Sequence, residues 1–290
     1  MLFALCYTAL HLAHSLLQSL NLSNMSTKCP VYRAEFPSGM YLGRNFRPNP
    51  KVFVQWGQET AEVMRLNNFC DYGLFEFSDE KTVFMRNIRL TFTEKFHEIS
   101  WLDKAYKLTV EGFNSNTGKT SFDLTIKWYF DGDLIATLVR KMVYVSVTTG
   151  KPIELPAKFT ATNTAKSTVR FSLNKEVPNT ASEISLTVRP SDLDFNDHVG
   201  HPVYMDYLLD SAYHLQNQYT LLTADLMSER IKCVDIEYRY QVVLGPELVV
   251  KSWDEVGDLG LQLNFVMNQW NEVDGCDRLV CLGKFCLFDR

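Results

Sequence analysis

One pattern constrains this chain more than any other. Phe122, Leu124, Ile126, Trp128 and Phe130 alternate with Asp123, Thr125, Lys127 and Tyr129. A period of two is the mark of a strand with one face buried. Asp131-Gly132 follows, a dipeptide suited to a tight hairpin turn, and 134–147 reads as a long β-rich return strand. The same sentence recurs later. Leu261, Leu263, Phe265, Met267 and Gln269 alternate, 271–275 turns, and 279–288 returns.

The elements ahead of each hairpin also correspond. Segments 86–93 and 106–113 predict strands in the first half, as 233–240 and 248–253 do in the second. Helical spacing appears at 59–66 and again at 202–217, the second preceded by a strand at 184–188. Helix then four strands, with a hairpin before the last, therefore occurs twice. This is a duplication by pattern and not by identity. One helix cannot cover both faces of such a sheet, so two copies are expected to pack together and bury the rest. Outside the repeat, 29–50 is punctuated by Pro30, Pro37, Gly39, Gly43, Pro48 and Pro50 and reads as loop. Segment 51–55 reads as a short strand. Segment 150–180 is rich in Lys, Asn, Thr and Pro and reads as a linker, with one short strand at 169–173. The expected division is an apolar lead at 1–28, a first unit at 29–150, a linker at 151–182 and a second unit at 183–290.

The 290 residues are 46% apolar and 22% charged, enough to build a real core. A net charge of −5 without a basic stripe argues against a nucleic-acid partner. The seven cysteines are odd in number and contain no CxxC pair, so buried free thiols are expected, with no metal site and no cofactor. Residues 1–22 carry no acid or base. They lack a positive leading region, and His11, His14, Ser15, Gln18 and Ser19 interrupt them. The lead is open between a signal or anchor, through which 1–24 would meet a membrane, and a disordered start with Met25 as an alternative beginning. A cytoplasmic location is expected.

Chemistry concentrates in 189–200. Asp192, Asp194, Asn196, Asp197 and His198 crowd a loop between a strand and an apolar-periodic segment bearing Val203, Tyr204, Tyr207, Leu208, Ser211 and Ala212. A helix start presents free N–H groups and partial positive charge, which suit a developing oxyanion. N–H groups from Val199 to Val203 are expected to serve, with Gly200 admitting a substrate close to the backbone. Asp and Asn before a helix are also common capping residues. His201 and His214 are expected to be surface or packing residues.

The run Ser191-Asp192-Leu193-Asp194-Phe195-Asn196-Asp197-His198-Val199 closely resembles the "SDLDxNxHV" motif of plant and bacterial acyl-ACP thioesterases. Tyr204 stands where that family has Tyr, and Ile236-Glu237-Tyr238-Arg239 resembles its "LEYR" strand. The resemblance runs from about residue 184 onward; the first half shares only the strand pattern. It implies an α+β double hotdog, two tandem units each with a central helix wrapped by an antiparallel sheet. It implies hydrolysis of an acyl thioester, carried by acyl-carrier protein or CoA, with Asp194, Asn196 and His198 catalytic. Val199, Gly200, Tyr204 and Gln241 would bind substrate. The chain would be a monomer by intrachain pairing, or a homodimer. Two places, of two residues each, depart from the family. Its Asn-Asn after His-Val is Gly200-His201 here, and the acid and Cys of its "EYRREC" strand are Gln241 and Val242. A cysteine nucleophile is therefore missing at that place. These departures motivate an alternative: a protein that binds acyl thioesters and no longer turns them over. A hydratase of the same fold is disfavoured, because His198 follows Asp194 by four residues and no Pro intervenes. The first half has no Asp-x-Asn-x-His, so one site per chain is expected.

Overall fold

The computed structural model describes residues 32–37, 48–67, 69, 75, 80–101, 107–162, 165–166, 169–171, 173, 176–194, 197–218, 231–257, 260–271 and 273–288. The apolar lead at 1–28 lies outside them. Among the described residues no helix is long and apolar enough to cross a membrane.

The first hairpin stands as expected. β4 (Ser121–Phe130) and β5 (Asp133–Ser146) turn through Asp131 and Gly132, both with positive φ. β3 (Lys107–Ser115) flanks β4, and β2 (Lys81–Phe92) flanks β5. The second half repeats this with β7 (Ile231–Tyr238), β8 (Leu248–Gly257), β9 (Gly260–Asn271) and β10 (Cys276–Leu287). β6 (Ser182–Leu186) closes its edge against β8. A strand that sequence reasoning missed, β1 (Tyr32–Pro37), does the same against β3. Its flanking prolines and glycine had made it read as loop.

The order β1-β3-β4-β5-β2-β7-β10-β9-β8-β6 forms one ten-stranded sheet. The two blocks join edge to edge, Asn87 to Thr91 of β2 pairing with Glu237 to Cys233 of β7. This corrects the expectation that the halves bury each other's open faces. The ladder bonds of β2 and β7 would otherwise need water or a second chain, and pairing them satisfies both.

The main helices share one face. A single row of facing residues crosses the sheet as Leu124, Arg140, Ile88, Ile236, Gly283 and Phe265. On this row Arg140 reaches the Gly57 carbonyl of α1 (Pro50–Leu66), and Gly283 lies beneath Leu208 of α4 (His201–Gln218). A Cβ on Gly283 would stand 2.7 Å from Leu208 Cδ1, so any larger residue here would have to push the Leu208 side chain aside. The helices also touch each other, with Lys51 and Asp206 paired between them.

Helix α1 overruns the strand expected at 51–55. Asn49 caps it by accepting the Lys51 N–H at 2.9 Å, and Pro50 fits the first turn, where its missing N–H costs nothing. Phe53, Trp56, Thr60 and Met64 are buried at helical spacing, whereas Val52 and Val54 had suggested a strand. Phe53 meets Trp56, Phe92 and Trp128 edge to face at 5.2–5.3 Å. The residues described at 169–173 form no strand. They belong to a crossing over the other face of the sheet, where Phe171 lies over Arg89 and Leu173, Val177 and Ala181 pack on Trp253, Val266 and Leu282. Two short helices, α2 (Glu94–Glu98) and α3 (Ala157–Thr162), complete the described elements.

Candidate active site

The site is built where β6 hands the chain to α4. Arg189 leads into a short 3-10 turn at Pro190–Asp192. Asp192 is the hub that sequence reasoning missed. One carboxylate oxygen accepts the Arg189 N–H at 2.9 Å and the Tyr207 hydroxyl at 2.8 Å. The Asp192 carbonyl accepts the Gly200 N–H at 2.9 Å. Both ends of the loop are thus pinned to one residue and, through Tyr207, to the helix. Burial and the neighbouring Asp192 carboxylate hold the Tyr207 hydroxyl protonated, as a donor. Tyr204 and Tyr207 stand three apart on one helix face, the pattern that could have signalled it.

Within this clasp the loop closes again. The Asp194 N–H donates to the His198 carbonyl at 2.7 Å, and Leu193 bridges Val199. The closure brings Asp194 and His198, both half-buried, onto facing arms. Asp197, at the tip, takes a positive φ of 59°. Asn196 lies outside the described residues. Among the described residues none hydrogen-bonds to the His198 ring.

The segment after β7 forms the other wall. The Val199 N–H donates to the Val242 carbonyl at 3.0 Å, and the Val242 N–H donates to the Tyr204 hydroxyl at 3.3 Å. Tyr204 is buried, and burial pushes its hydroxyl far above the ordinary tyrosine range. Tyr204 therefore acts as a neutral acceptor here. The Val242 side chain is fully buried, while Gln241 is exposed beside it. Cys281 stands near Tyr204 and Tyr238, but burial pushes its thiol up and keeps it un-ionised, so it is no nucleophile.

The expected oxyanion donors need correction. The N–H groups of Val199, Gly200 and Val203 are already engaged by Val242, Asp192 and Gly200 carbonyls. Pro202 has none. The His201 N–H donates to no described acceptor. The His201 ring packs edge to face on Tyr238 at 4.9 Å, and burial, followed by the charge of Arg140, holds its imidazole down to about 3. Arg140 comes from the first half, which no spacing in the sequence could reveal. The first half's own helix start carries the Asn49 cap and Pro50, with no acid or imidazole adjacent in sequence.

Tyr204, Tyr207 and Leu208 are buried in the core. A cavity of about 710 Å³ lies against Leu215, two helical turns beyond Leu208, and is walled by Trp253, Glu176, Asp254 and Glu255. Its carboxylates make it a poor match for an acyl chain.

These observations meet known proteins at the same stretch. Residues 175–272 match the acyl-ACP thioesterase C-terminal domain. That span covers the loop, α4 and β6 to β9, and bears out the resemblance drawn from the motif. No curated protein is significantly similar in sequence. Among solved structures, an acyl-ACP thioesterase from Bacteroides thetaiotaomicron is 16% identical with a TM-score of 0.68, over 89% of this chain and 97% of that one. A 12:0-ACP thioesterase from Umbellularia californica is 14% identical with a TM-score of 0.68, over 90% and 94%. At such identities the likeness is one of fold, and the fold is the hotdog fold. Within the span that matches the acyl-ACP thioesterase domain, Gln241 and Val242 remain departures, one exposed and one enclosed.

Proposed function

We propose that this chain is a double hotdog acyl thioesterase with one active site, in its second half. The substrate is a thioester of a fatty acyl group with acyl-carrier protein or CoA. What carries the reading is the closed loop, with Asp194 and His198 on facing arms immediately before a helix start. Asp194 or His198 takes a proton from water, and Asn196 holds the water or the carbonyl. The water oxygen attacks the acyl carbon, the C–S bond breaks, and the thiol leaves with a proton. The His201 N–H is the donor for the tetrahedral oxyanion; such a donor is typically worth about 2.7–4 kcal/mol. The neutral imidazole of His201 adds no charge there. Pairing of the halves through β2 and β7 makes a monomer the expected functional unit.

The test is thiol release, followed with a thiol-reactive dye, from acyl-CoA and acyl-carrier-protein substrates of graded chain length. Asp194→Ala and His198→Ala should each lose activity by at least about 10²-fold while unfolding as cooperatively as wild type. Undiminished rates in both would refute the assignment. The exposed Gln241 and enclosed Val242 favour a second reading, an acyl-thioester binder without turnover. Binding without thiol release would select it, and Gln241→Glu would then be the first restoration to try.

A further inference from the structure

The sheet face opposite the helices carries a group of side chains that the proposed reaction does not use. Cys233 on β7 faces Cys286 on β10 directly, and Asp235, two residues on, faces Lys284 and Arg89. Facing residues of antiparallel strands have Cα atoms about 4.5 or 5.5 Å apart. Both values lie inside the range of about 4.4–6.8 Å that a disulfide spans. Each sulfur is a free thiol, and the two are buried, at 8% and 0% exposure. The two thiols influence each other strongly, and burial pushes the Cys233 thiol up. The cations Lys284 and Arg89 stand close to the facing pair, and nearby positive charge favours the thiolate through which a thiol reacts.

We propose that Cys233 and Cys286 are a modification site, a thiol pair that a peroxide converts to a cross-strand disulfide. The Cys286 sulfur attacks one peroxide oxygen, the O–O bond breaks, and a sulfenic acid forms as the first water leaves. The Cys233 sulfur then attacks the sulfenic sulfur, the S–S bond forms, and a second water leaves. Two thiols and one hydrogen peroxide give one disulfide and two waters. The sulfurs together lose two electrons and the peroxide gains them. Hydrogen peroxide is little larger than water, which suits a buried pair. Cys276 is exposed, so it reports non-specific oxidation.

The link would tie β7 to its sheet neighbour β10 and close the stretch of chain that carries β8 and β9 into a loop. It should raise Tm by roughly 5–15 °C for a chain of this size. The experiment treats the full-length protein with hydrogen peroxide, blocks remaining thiols, and maps tryptic peptides without reduction. The expected result is a loss of about 2 Da, from the two thiol hydrogens, in a single cross-linked peptide joining Cys233 and Cys286. Dithiothreitol should reverse it, and Tm should rise only in the oxidised form. Cys276→Ser should behave as wild type, whereas Cys233→Ser and Cys286→Ser should not gain stability. Addition of oxygen at Cys286 without linkage would overturn the proposal. So would a pair that stays reduced while Cys276 oxidises. The wild-type peptide map decides the matter even if a serine variant fails to fold.

Discussion

Tyr207→Phe removes one oxygen atom from the structure and nothing else. The ring is 3% exposed and its packing survives as Phe. What is lost is the 2.8 Å bond from the hydroxyl to Asp192. Hydrogen bonds to charged acceptors contribute about 1.5–3 kcal/mol. Here Asp192 is only half-buried and keeps the Arg189 N–H, so water can take the vacated site and about 1 kcal/mol is the expected cost. That should appear in urea unfolding as a lower midpoint with an unchanged slope. Because Asp192 also clasps Gly200, the same loss falls on the ordered loop. A difference of about 1 kcal/mol is roughly fivefold in the ratio of ordered to open loop, so kcat should fall, by up to about fivefold, with KM little changed. Wild-type stability with wild-type kcat would refute the reasoning, because it would mean that the hydroxyl does not hold the loop.

Three further outcomes are expected. Arg89→Ala should destabilise the fold by about 3 kcal/mol in urea titration, because Asp235 is 1% exposed and would lose bonds of 2.5 and 2.7 Å, keeping only Lys284 at 4.0 Å. Gly200→Ala should leave Tm nearly unchanged, since the added Cβ meets nothing nearer than 3.8 Å. It should nevertheless lower kcat/KM at least tenfold if the thioester passes against this backbone, and an unchanged kcat/KM would put the substrate elsewhere. His201 is held at about 3 in the fold, below its unfolded value of about 6.5. The unfolded chain therefore binds this proton first. The contribution is present above about pH 6.5 and is lost as pH falls toward the folded value. His201→Asn should narrow the gap between urea midpoints at neutral and mildly acid pH, and an unaltered gap would count against the burial of this ring.

The β framework was legible because alternation exposes it. Phe122 to Phe130 and Leu261 to Gln269 each announce a strand with one buried side, and both hairpins followed. The loop at 191–199 was legible as a motif, and its place between strand and helix was read correctly. What stayed hidden depends on partners far along the chain. β1 is held by its ladder to β3, a debt to pairing that its own residues do not advertise. Helix α1 hid behind Val52 and Val54, whose β preference yields to the packing of Phe53 and Trp56. Asp192 looked like one more turn acid until Tyr207, on the helix, reached it. Arg140 lies in a strand of the other half and meets His201 only after the sheet has formed.

The joint between β2 and β7 has a consequence for how such a molecule can change. In an assembly of two identical chains, every substitution is made twice, and a residue useful on one side must be tolerated on the other. Here the two sides are written separately in one sequence. Arg140 can stand as a cation beneath one helix start without an identical arginine appearing beneath the other. The first half is free to fill its interior with Phe53, Trp56, Phe92 and Trp128, while the second retains a polar loop. Their association also does not weaken on dilution, because neither side can diffuse away. Division of labour between structure and chemistry is thereby built into a single reading frame.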